Sequence, residues 1–300
     1  MTGEPLIRDV SDTARWVAVY RALETERPDA AFRDPYARAL AGERGERIAA
    51  AQASNQNMEW AAVSRTYAFD RYIAKEIAAG ADLVVNLAAG LDARPYRMEL
   101  PQALRWVEVD LPDILDYKEE VLARAGAQLR CALERVRLDL SNEDARRGLF
   151  RDLSRQSSRA IVISEGLVIY LMRADVAALA RDIAALPAFR RWIVDIVSPA
   201  LLEMIEAQSG ALVREAGAPF LFAPAEGPAF FEPCGWNVLG VRSLLKTAAK
   251  LQRLPVFLRL MAMLPEGSQP WDRPWSGVCL LGRRADETTA SSNGDPIEGD

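Results

Sequence analysis

The segment from Leu83 to Arg97 reads LVVNLAAGLDARPYR, an apolar run followed by a turn with one glycine, Gly90. A short apolar run bounded by a turn is typical of a strand buried on both faces of a sheet. A glycine after such a strand lets backbone N–H groups approach a ligand closely, and it can open a helix whose positive end favours anions. An ordinary turn glycine is the alternative interpretation. Because the three-glycine pattern of dinucleotide-binding turns is absent, the ligand expected here lacks a pyrophosphate.

Strand-like and helix-like segments alternate along most of the chain. The strand-like segments after the first are LRWVEVD (104–110), ALERVRLD (132–139), AIVISEG (160–166), RRWIVDIV (190–197) and WSGVCLLGRR (275–284). Helix-like segments such as LPDILDYKEEVLARAG (111–126) and ADVAALARDIAAL (174–186) separate them. Strands joined by helices form right-handed crossovers, which give a mostly parallel sheet covered on both faces. The sequence therefore predicts an α/β fold with a doubly wound, mostly parallel sheet and an antiparallel last strand.

The domain organisation follows from the same patterns. Residues 1–80 carry apolar residues at helical spacing and are predicted to form an N-terminal helical cap. Residues 81–284 form the predicted sheet domain, with a helical insertion near 199–231 that we expect to close over the site as a lid. The segment FFEPCGWNVLGV (230–241) is assigned to neither a helix nor a strand. Residues 285–300 are polar and lack a period, so we expect a disordered tail.

The composition excludes several kinds of chemistry. The 300 residues carry a net charge of -5, which gives no general attraction to nucleic acid or anionic lipid, and no stretch suits a membrane span. Histidine is absent, so imidazole bases, triads and metal ligands are excluded. The three cysteines, Cys131, Cys234 and Cys279, fit neither a disulfide framework nor a metal cluster. We therefore expect a cytoplasmic protein without a metal site, whose partner is a small molecule.

The residues that end the strands are the candidates for binding, since ligands of parallel sheets lie beyond the carboxyl ends of the strands. Asp110 ends the second strand twenty positions after Gly90, the interval at which a carboxylate accepts hydrogen bonds from both ribose hydroxyls of a nucleoside. Helix capping by Asp110 is the alternative. However, Pro112 is best placed as the first residue of the next helix, which leaves the cap position to Leu111.

Two further strand ends carry a carboxylate. Asp139 follows the third strand, where its side chain could accept a hydrogen bond from the adenine amine while Leu140 packs on the ring. Capping is again the alternative, but Ser141 with Asp144 resembles a capping box that would leave Asp139 without a structural role. Glu165 follows a strand that is predicted to be buried on both faces, where an unpaired carboxylate is costly. Glu165 must therefore have a partner.

Arg65 is the basic candidate. Its neighbours on the predicted helix, Ala61, Ala62, Ala68 and Phe69, supply no acidic partner. Solvent is the ordinary destination of such a side chain. The alternative is a ligand carboxylate held by the guanidinium group.

The segments NLAAGLDARPYR (86–97), WVEVDLPDILDYK (106–118), VRLDL (136–140) and SEGLVIYL (164–171) together resemble the leucine carboxyl methyltransferase family. The resemblance is closer to its bacterial branch of S-adenosylmethionine-dependent O-methyltransferases. TARWVAVYRALE and DPYARAL near the start also resemble that branch. The resemblance implies a class I methyltransferase fold, which is Rossmann-like, and S-adenosyl-L-methionine as the cofactor.

The resemblance also implies roles for the candidate residues. Arg65 would bind the methionine carboxylate of the cofactor, and Gly90 would lie beside its methionine portion. Asp110 would hold the ribose hydroxyls, and Asp139 with Leu140 would bind the adenine.

Glu165 would line the site near the amino-acid end of the cofactor. The chain departs from the family pattern at Asn86, where an acidic residue is usual, and at Ala88, where glycine is frequent. Both departures lie in the first motif and could change cofactor affinity. In some relatives a basic residue near the amino terminus contacts the cofactor, and Arg15 or Arg21 could take that place, although neither aligns clearly.

The expected reaction is methyl transfer to an oxygen, in particular a carboxylate, of a small molecule such as a secondary metabolite. A carboxylate is ionised at neutral pH and needs no general base, which suits a chain without histidine. Tyr170 is assigned to packing, and no residue is assigned a catalytic role. Two alternatives stay open: a nicotinamide-dependent oxidoreductase on the same sheet, and a protein that binds S-adenosylmethionine without catalysing a reaction.

Overall fold

The computed structural model describes residues 10–51, 57–215, 218–267 and 269–284. Three helices precede the sheet, where the apolar spacing predicts them: α1 (Val10–Glu26), α2 (Ala37–Ala51) and α3 (Asn57–Ala78). α1 packs closely on α2 because small residues, Ala18 and Ala41, are fully buried in the cluster between them. The predicted tail, 285–300, lies outside the described residues, as do residues 1–9 of the predicted cap and 216–217 of the predicted lid.

In the part of the chain that the structure describes, seven strands and seven further helices follow. The strands are β1 (Leu83–Leu87), β2 (Arg105–Asp110), β3 (Ala132–Arg137), β4 (Ala160–Ser164), β5 (Phe189–Val197), β6 (Trp236–Ser243) and β7 (Ser276–Arg283). The helices are α4 (Arg94–Arg97), α5 (Pro112–Arg124), α6 (Glu143–Arg155), α7 (Arg173–Ala184), α8 (Pro199–Glu215), α9 (Leu244–Lys250) and α10 (Val256–Met263). Short 3-10 segments occur at Val168–Tyr170, Gly227–Cys234 and Pro270–Asp272.

The strands form one sheet in the order β3-β2-β1-β4-β5-β7-β6. β1 to β5 pair in parallel, and β7 lies antiparallel between β5 and β6. The predicted doubly wound sheet with an antiparallel last strand is therefore confirmed. The strand order reverses at β1, which has β2 on one side and β4 on the other, and this reversal marks the crevice where ligands of such sheets bind.

β6 was not predicted as a strand. It follows the 3-10 segment that ends at Cys234, and its pairing with β7 shifts register between Val238 and Gly240. The shift interrupts the two-residue alternation of side chains that identifies a strand in a sequence.

The core has one layer on each face of the sheet. In β1, Val85 faces the cluster that contains Phe150 of α6, while the next residue toward the amino end, Val84, faces the cluster that contains Phe69 of α3. All five residues of β1 are buried, as are all five of β4. This two-sided burial explains the continuous apolar runs in the sequence, because helices cover both faces of these strands.

One charged side chain of the sheet is also buried. Glu108 of β2 is fully buried and accepts hydrogen bonds from Lys118 Nζ at 2.7 Å and Arg135 Nε at 2.9 Å. Burial raises the pKa of Glu108, and the two cations act against that shift. Because both cations reach Glu108 from other elements, α5 and β3 are tied to β2 by ion pairs as well as by apolar packing.

The three cysteines are buried free thiols, in agreement with the expectation that they form no disulfide framework. Within the described ranges, no helix combines the length and the apolar character that crossing a membrane requires. In the same ranges, no group of three acidic or cysteine side chains is arranged to hold a metal ion.

Candidate active site

The carboxyl ends of β1 to β5 open into a cavity of about 1130 Å³. Residues from α1, α3, α8 and α10 complete its wall. All six residues predicted from the sequence line this cavity: Arg65, Gly90, Asp110, Asp139, Leu140 and Glu165. The fold therefore brings together residues that lie as far as 100 positions apart in the chain.

The turn after β1 is closed by Asp110. Gly90 has a φ of 46° and its N–H donates to Asp110 Oδ2 at 2.6 Å, while the N–H of Leu111 donates to Oδ1 at 2.7 Å. Burial raises the pKa of Asp110, and these two backbone hydrogen bonds oppose the shift. The carboxylate is thus held at the edge of the cavity, and each oxygen keeps a lone pair for a further donor.

Two expectations about this turn have different outcomes. Leu111 is the N-cap of α5 and Pro112 its first residue, as predicted. The expectation that Gly90 opens a helix is wrong, because α4 begins only at Arg94 and has four residues. The anion beside the Gly90 N–H is the chain's own Asp110.

Both departures from the family motif have a visible consequence. The side-chain amide of Asn86 donates to Asp92 Oδ2 at 2.9 Å, a contact that an acidic residue at position 86 could not make while ionised. Ala88 has a φ of 51°, in the left-handed region that favours glycine. The Cβ of Ala88 therefore strains the turn at the edge of the site.

Ala88→Gly is expected to raise the free energy of unfolding by about 1 kcal/mol, because a Cβ in the left-handed region costs about 1–2 kcal/mol. Part of that gain is offset by the greater freedom of glycine in the unfolded chain. Urea unfolding measures the change. Ala89→Gly, at the buried neighbouring position without a positive φ, is the matched control and should lower stability. Equal losses in the two variants would contradict the strain at Ala88.

The structure corrects the expectation that Asp139 has no structural role. The N-cap of α6 is Asn142, whose side chain accepts from the N–H of Ala145, so the predicted capping box at Ser141 and Asp144 is wrong. Asp139 Oδ1 instead accepts from the N–H of Ser141 at 2.8 Å, and this hydrogen bond lowers the pKa of Asp139. Asp139 thus has a structural role in the loop, and its exposed carboxylate still lines the cavity.

A group of paired charges lies at the cavity near β1, β4 and β5, and all of its members except Asp70 line the cavity. We call it the ionic cluster, and its members are Arg65, Asp70, Asp92, Arg94, Arg97, Glu165 and Asp195. Three arginines meet four carboxylates, so the cluster carries one net negative charge when all its carboxylates are ionised.

Arg94 is the centre of the ionic cluster. Its side chain is only 2% exposed, and its nitrogens donate to Asp70 at 2.6 Å, to Asp92 at 2.8 Å and to Glu165 at 2.8 Å. Burial alone would raise the pKa of Asp92, but Arg94 and Lys118 hold it well below its usual range. The prediction that Glu165 must have a partner is confirmed.

Arg65 reaches the cavity from α3. Its guanidinium donates to Glu165 at 3.2 Å and to Asp195 at 3.2 Å, and 22% of the side chain is exposed. Burial alone would lower the pKa of Arg65, but Asp195 and Glu165 raise it. Its partners thus come from strand ends and not from its own helix.

Five members of the ionic cluster were not predicted as site residues: Asp70, Asp92, Arg94, Arg97 and Asp195. Arg94 and Asp92 lie inside the first motif, and Asp195 lies near the carboxyl end of β5, where it accepts from the Gly166 N–H at 2.7 Å. The signal that singled out Glu165, a carboxylate at the end of a buried strand, applies equally to Asp195. Arg94 carries no such local signal, because two of the three carboxylates that its side chain pairs with lie on other segments, Asp70 on α3 and Glu165 after β4.

α1 also contributes to the cavity. Arg21 donates to Asp34 at 2.9 Å and to the carbonyl oxygen of Leu91 at 2.7 Å, which ties α1 to the turn after β1. Arg15 lies over the ring of Tyr117.

Tyr170 lines the cavity, and its ring centroid lies 5.5 Å from that of Phe220. Burial raises the pKa of Tyr170, although a hydrogen bond with Thr13 opposes this.

The strand order and its reversal at β1 define a doubly wound, Rossmann-like fold. Residues 14–184 match the sequence profile of the leucine carboxyl methyltransferase family, and the chain belongs to that family.

Curated relatives come from actinobacteria and bear the name S-adenosyl-L-methionine-dependent methyltransferase. A Mycolicibacterium paratuberculosis relative is 40% identical over 174 residues, which cover 54% of this chain and 58% of the relative. A Rhodococcus jostii relative is 39% identical over 144 residues, covering 46% of this chain and 49% of the relative. The match thus spans about half the length of these relatives. The predicted cofactor is the one in their names.

Two solved structures share the fold. A protein from Thermobifida fusca, described as a methyltransferase, superposes with a TM-score of 0.54 at 18% identity over 83% of this chain and 93% of that protein. A DUF574 family protein from Streptomyces avermitilis superposes with a TM-score of 0.50 at 17% identity, covering 90% of this chain and 97% of that protein. At this identity the similarity concerns the fold alone.

Proposed function

We propose that this chain is a methyltransferase that uses S-adenosyl-L-methionine and transfers the methyl group to a carboxylate oxygen of a small molecule. The observation that carries the proposal is the position of the six predicted site residues around one cavity at the carboxyl edge of the sheet. Membership of the leucine carboxyl methyltransferase family supports carboxylate as the acceptor group.

The charges of the cavity suit the cofactor. S-adenosyl-L-methionine carries a sulfonium and a zwitterionic amino acid, which together give one net positive charge. The ionic cluster carries one net negative charge. In the proposal, Arg65 binds the carboxylate of the amino acid, and Glu165 lies near its ammonium group.

The nucleoside end would lie on the other side of Gly90. Asp110 would accept hydrogen bonds from the ribose hydroxyls through the lone pairs that Gly90 and Leu111 leave free. Asp139 would accept from the adenine amine, and Leu140 would pack on the ring. Each charge-assisted hydrogen bond of this kind contributes about 1.5–3 kcal/mol.

In the proposed reaction, the main role of the protein is to orient the acceptor oxygen. Bound S-adenosyl-L-methionine would supply the methyl group: the carbon–sulfur bond would break as the acceptor oxygen bonds to the methyl carbon, and the electron pair of that bond would stay on sulfur. A carboxylate needs no general base, so the absence of histidine is no obstacle. The cavity walls would hold the oxygen in line with the sulfonium and exclude water, and orientation of this sort can contribute about 7–11 kcal/mol. In the proposal, the helical cap and the insertion at 199–231 act as the lid.

The test is a radiolabelled methyl group. The protein is incubated with methyl-labelled S-adenosyl-L-methionine and a metabolite extract, and the labelled product is identified by mass. We expect label in a small molecule and its rapid release in alkali, because carboxylate methyl esters hydrolyse there. Stable label would exclude a carboxylate acceptor.

Calorimetry separates the remaining functions. Binding of S-adenosylhomocysteine without any methyl transfer would indicate a cofactor sensor. Binding of nicotinamide dinucleotide in place of S-adenosylhomocysteine would indicate an oxidoreductase.

A further inference from the structure

Two helices present an apolar stripe to the cavity. Leu201, Met204, Ile205 and Gln208 of α8 line it, at the spacing of one helix face. Phe257, Leu258 and Met261 of α10, with Leu264 directly after it, line it at a similar spacing. Gln208 is the one polar residue among these eight. In the chain, α8 lies between β5 and β6, and α10 lies between β6 and β7. Both helices therefore follow the predicted cofactor residues, the last of which is Glu165.

Large apolar side chains on this wall are exposed. Phe257 is 63% exposed, Leu264 59%, Met261 57% and Met204 48%. Exposed apolar area is unfavourable, and a group of such residues is typical of a surface that binds a ligand or a partner. Because these four residues line the cavity, a ligand in the cavity can cover them. A nearby cation is already engaged, since Lys246 Nζ donates to the carbonyl oxygens of Ala262 at 2.5 Å and Leu264 at 2.6 Å.

The cavity is larger than a pocket for one small ligand usually is. Pockets that hold one small ligand have volumes of roughly 300–1,000 Å³. This cavity has a volume of about 1130 Å³. The charged end at the strand edges is taken by the proposed cofactor, which leaves the end beside α8 and α10.

From these observations we infer that α8 and α10 bind the body of the methyl acceptor, and that this body is extended and apolar. The reacting oxygen lies at the end of the acceptor that faces the sulfonium of the bound cofactor. This inference rests on the proposed function. Alkyl chains and fused rings share the required chemistry, and the experiment separates them.

The test measures carboxylate binding by calorimetry in the presence of saturating S-adenosylhomocysteine. One series is butanoate, octanoate and dodecanoate, and the other is benzoate and 2-naphthoate. Affinity is expected to rise along at least one series, by about fourfold for each methylene that reaches the apolar wall. A rise in the first series alone identifies an alkyl body, and a rise in the second alone identifies a ring system. Equal affinities within both series would overturn the inference.

Adjacent residues of α10 supply matched variants. Met261 lines the cavity, whereas Leu260 is 73% exposed and lies outside the lining residues. Met261→Gln keeps the side-chain length and is expected to weaken the tightest carboxylate about tenfold, because an amide then faces the apolar body. Leu260→Gln should leave that affinity unchanged. Equal effects of the two variants would contradict a binding role for the α10 stripe.

The two proposals can fail separately. If S-adenosylhomocysteine does not bind, the proposed function fails, and both carboxylate series are measured without it to decide whether the apolar wall binds a ligand. If S-adenosylhomocysteine binds and label is transferred while affinity stays flat along both series, only the inference about the acceptor body fails.

Discussion

Arg94→Met is expected to lower the free energy of unfolding by about 3–5 kcal/mol, the usual cost of removing one partner from a buried ion pair. Arg94 is 2% exposed and donates to Asp70, Asp92 and Glu165. Its removal leaves three carboxylates near one another without their shared cation. Arg94→Lys keeps the charge but cannot reach all three carboxylates, so an intermediate loss is expected. Urea unfolding at neutral pH measures each value.

Arg137→Met is the matched control. Arg137 pairs with Asp116 and Glu119, and the three side chains are 39%, 61% and 41% exposed, so these ion pairs contribute little. Acidification gives a second check. Since the pKa of Asp92 is lowered in the folded protein, its stabilising effect is present above the ordinary carboxyl pKa and is lost as pH falls. The difference between wild type and Arg94→Met should therefore narrow in acid. If Arg94→Met lowers the free energy of unfolding no more than Arg137→Met does, the central position of Arg94 is contradicted.

Arg65→Met is expected to weaken S-adenosylhomocysteine binding about 30-fold or more, because truncating one partner of a buried charge pair costs about 2 kcal/mol at least. The proposed contact is to the amino-acid carboxylate. The ligand 5′-methylthioadenosine has the nucleoside but no amino acid, so its affinity should not change in this variant. Calorimetry with both ligands gives the comparison.

Asp110→Asn is the control for the other end of the cofactor. Its amide keeps one acceptor for the turn but loses the charge, so it should weaken both ligands to a similar extent. Its effect on folding is expected to be small, because the remaining oxygen can still accept from the Gly90 or Leu111 N–H. If Arg65→Met weakens both ligands equally, Arg65 acts on the shape of the cavity and not on the cofactor carboxylate.

Local patterns predicted most of the fold. The apolar runs of β1 and β4 and the helical spacing of α1 to α3 are visible within short windows, and the structure has these elements at the predicted places. The start of α5 was also predictable from a local feature, because the ring of Pro112 restricts the backbone at that position and favours the first turn of a helix. β6 escaped prediction because a register shift interrupts its alternation.

Local patterns were less informative where several residues compete for one hydrogen bond. Ser141 and Asn142 are both good N-cap residues, and the path of the chain after β3 decides between them. Asn142 is the N-cap of α6, and the Ser141 N–H donates to the Asp139 carboxylate. In the same way, the turn at Gly90 suggests a helix whose positive end favours an anion, but α4 begins only at Arg94 and the Gly90 N–H donates to the Asp110 carboxylate.

The sequence by itself determined the class of fold and predicted six residues of the candidate site, because both depend on spacing within strands, turns and helices, which neighbouring residues decide. The resemblance of its motifs indicated the family. The tertiary structure decided how the charges pair: Arg65 meets Glu165 across 100 positions and Asp195 across 130. It also decided that α8 and α10 line the same cavity. Such contacts depend on how the sheet is assembled, because a buried charge takes whichever partner the packed elements bring within hydrogen-bond distance.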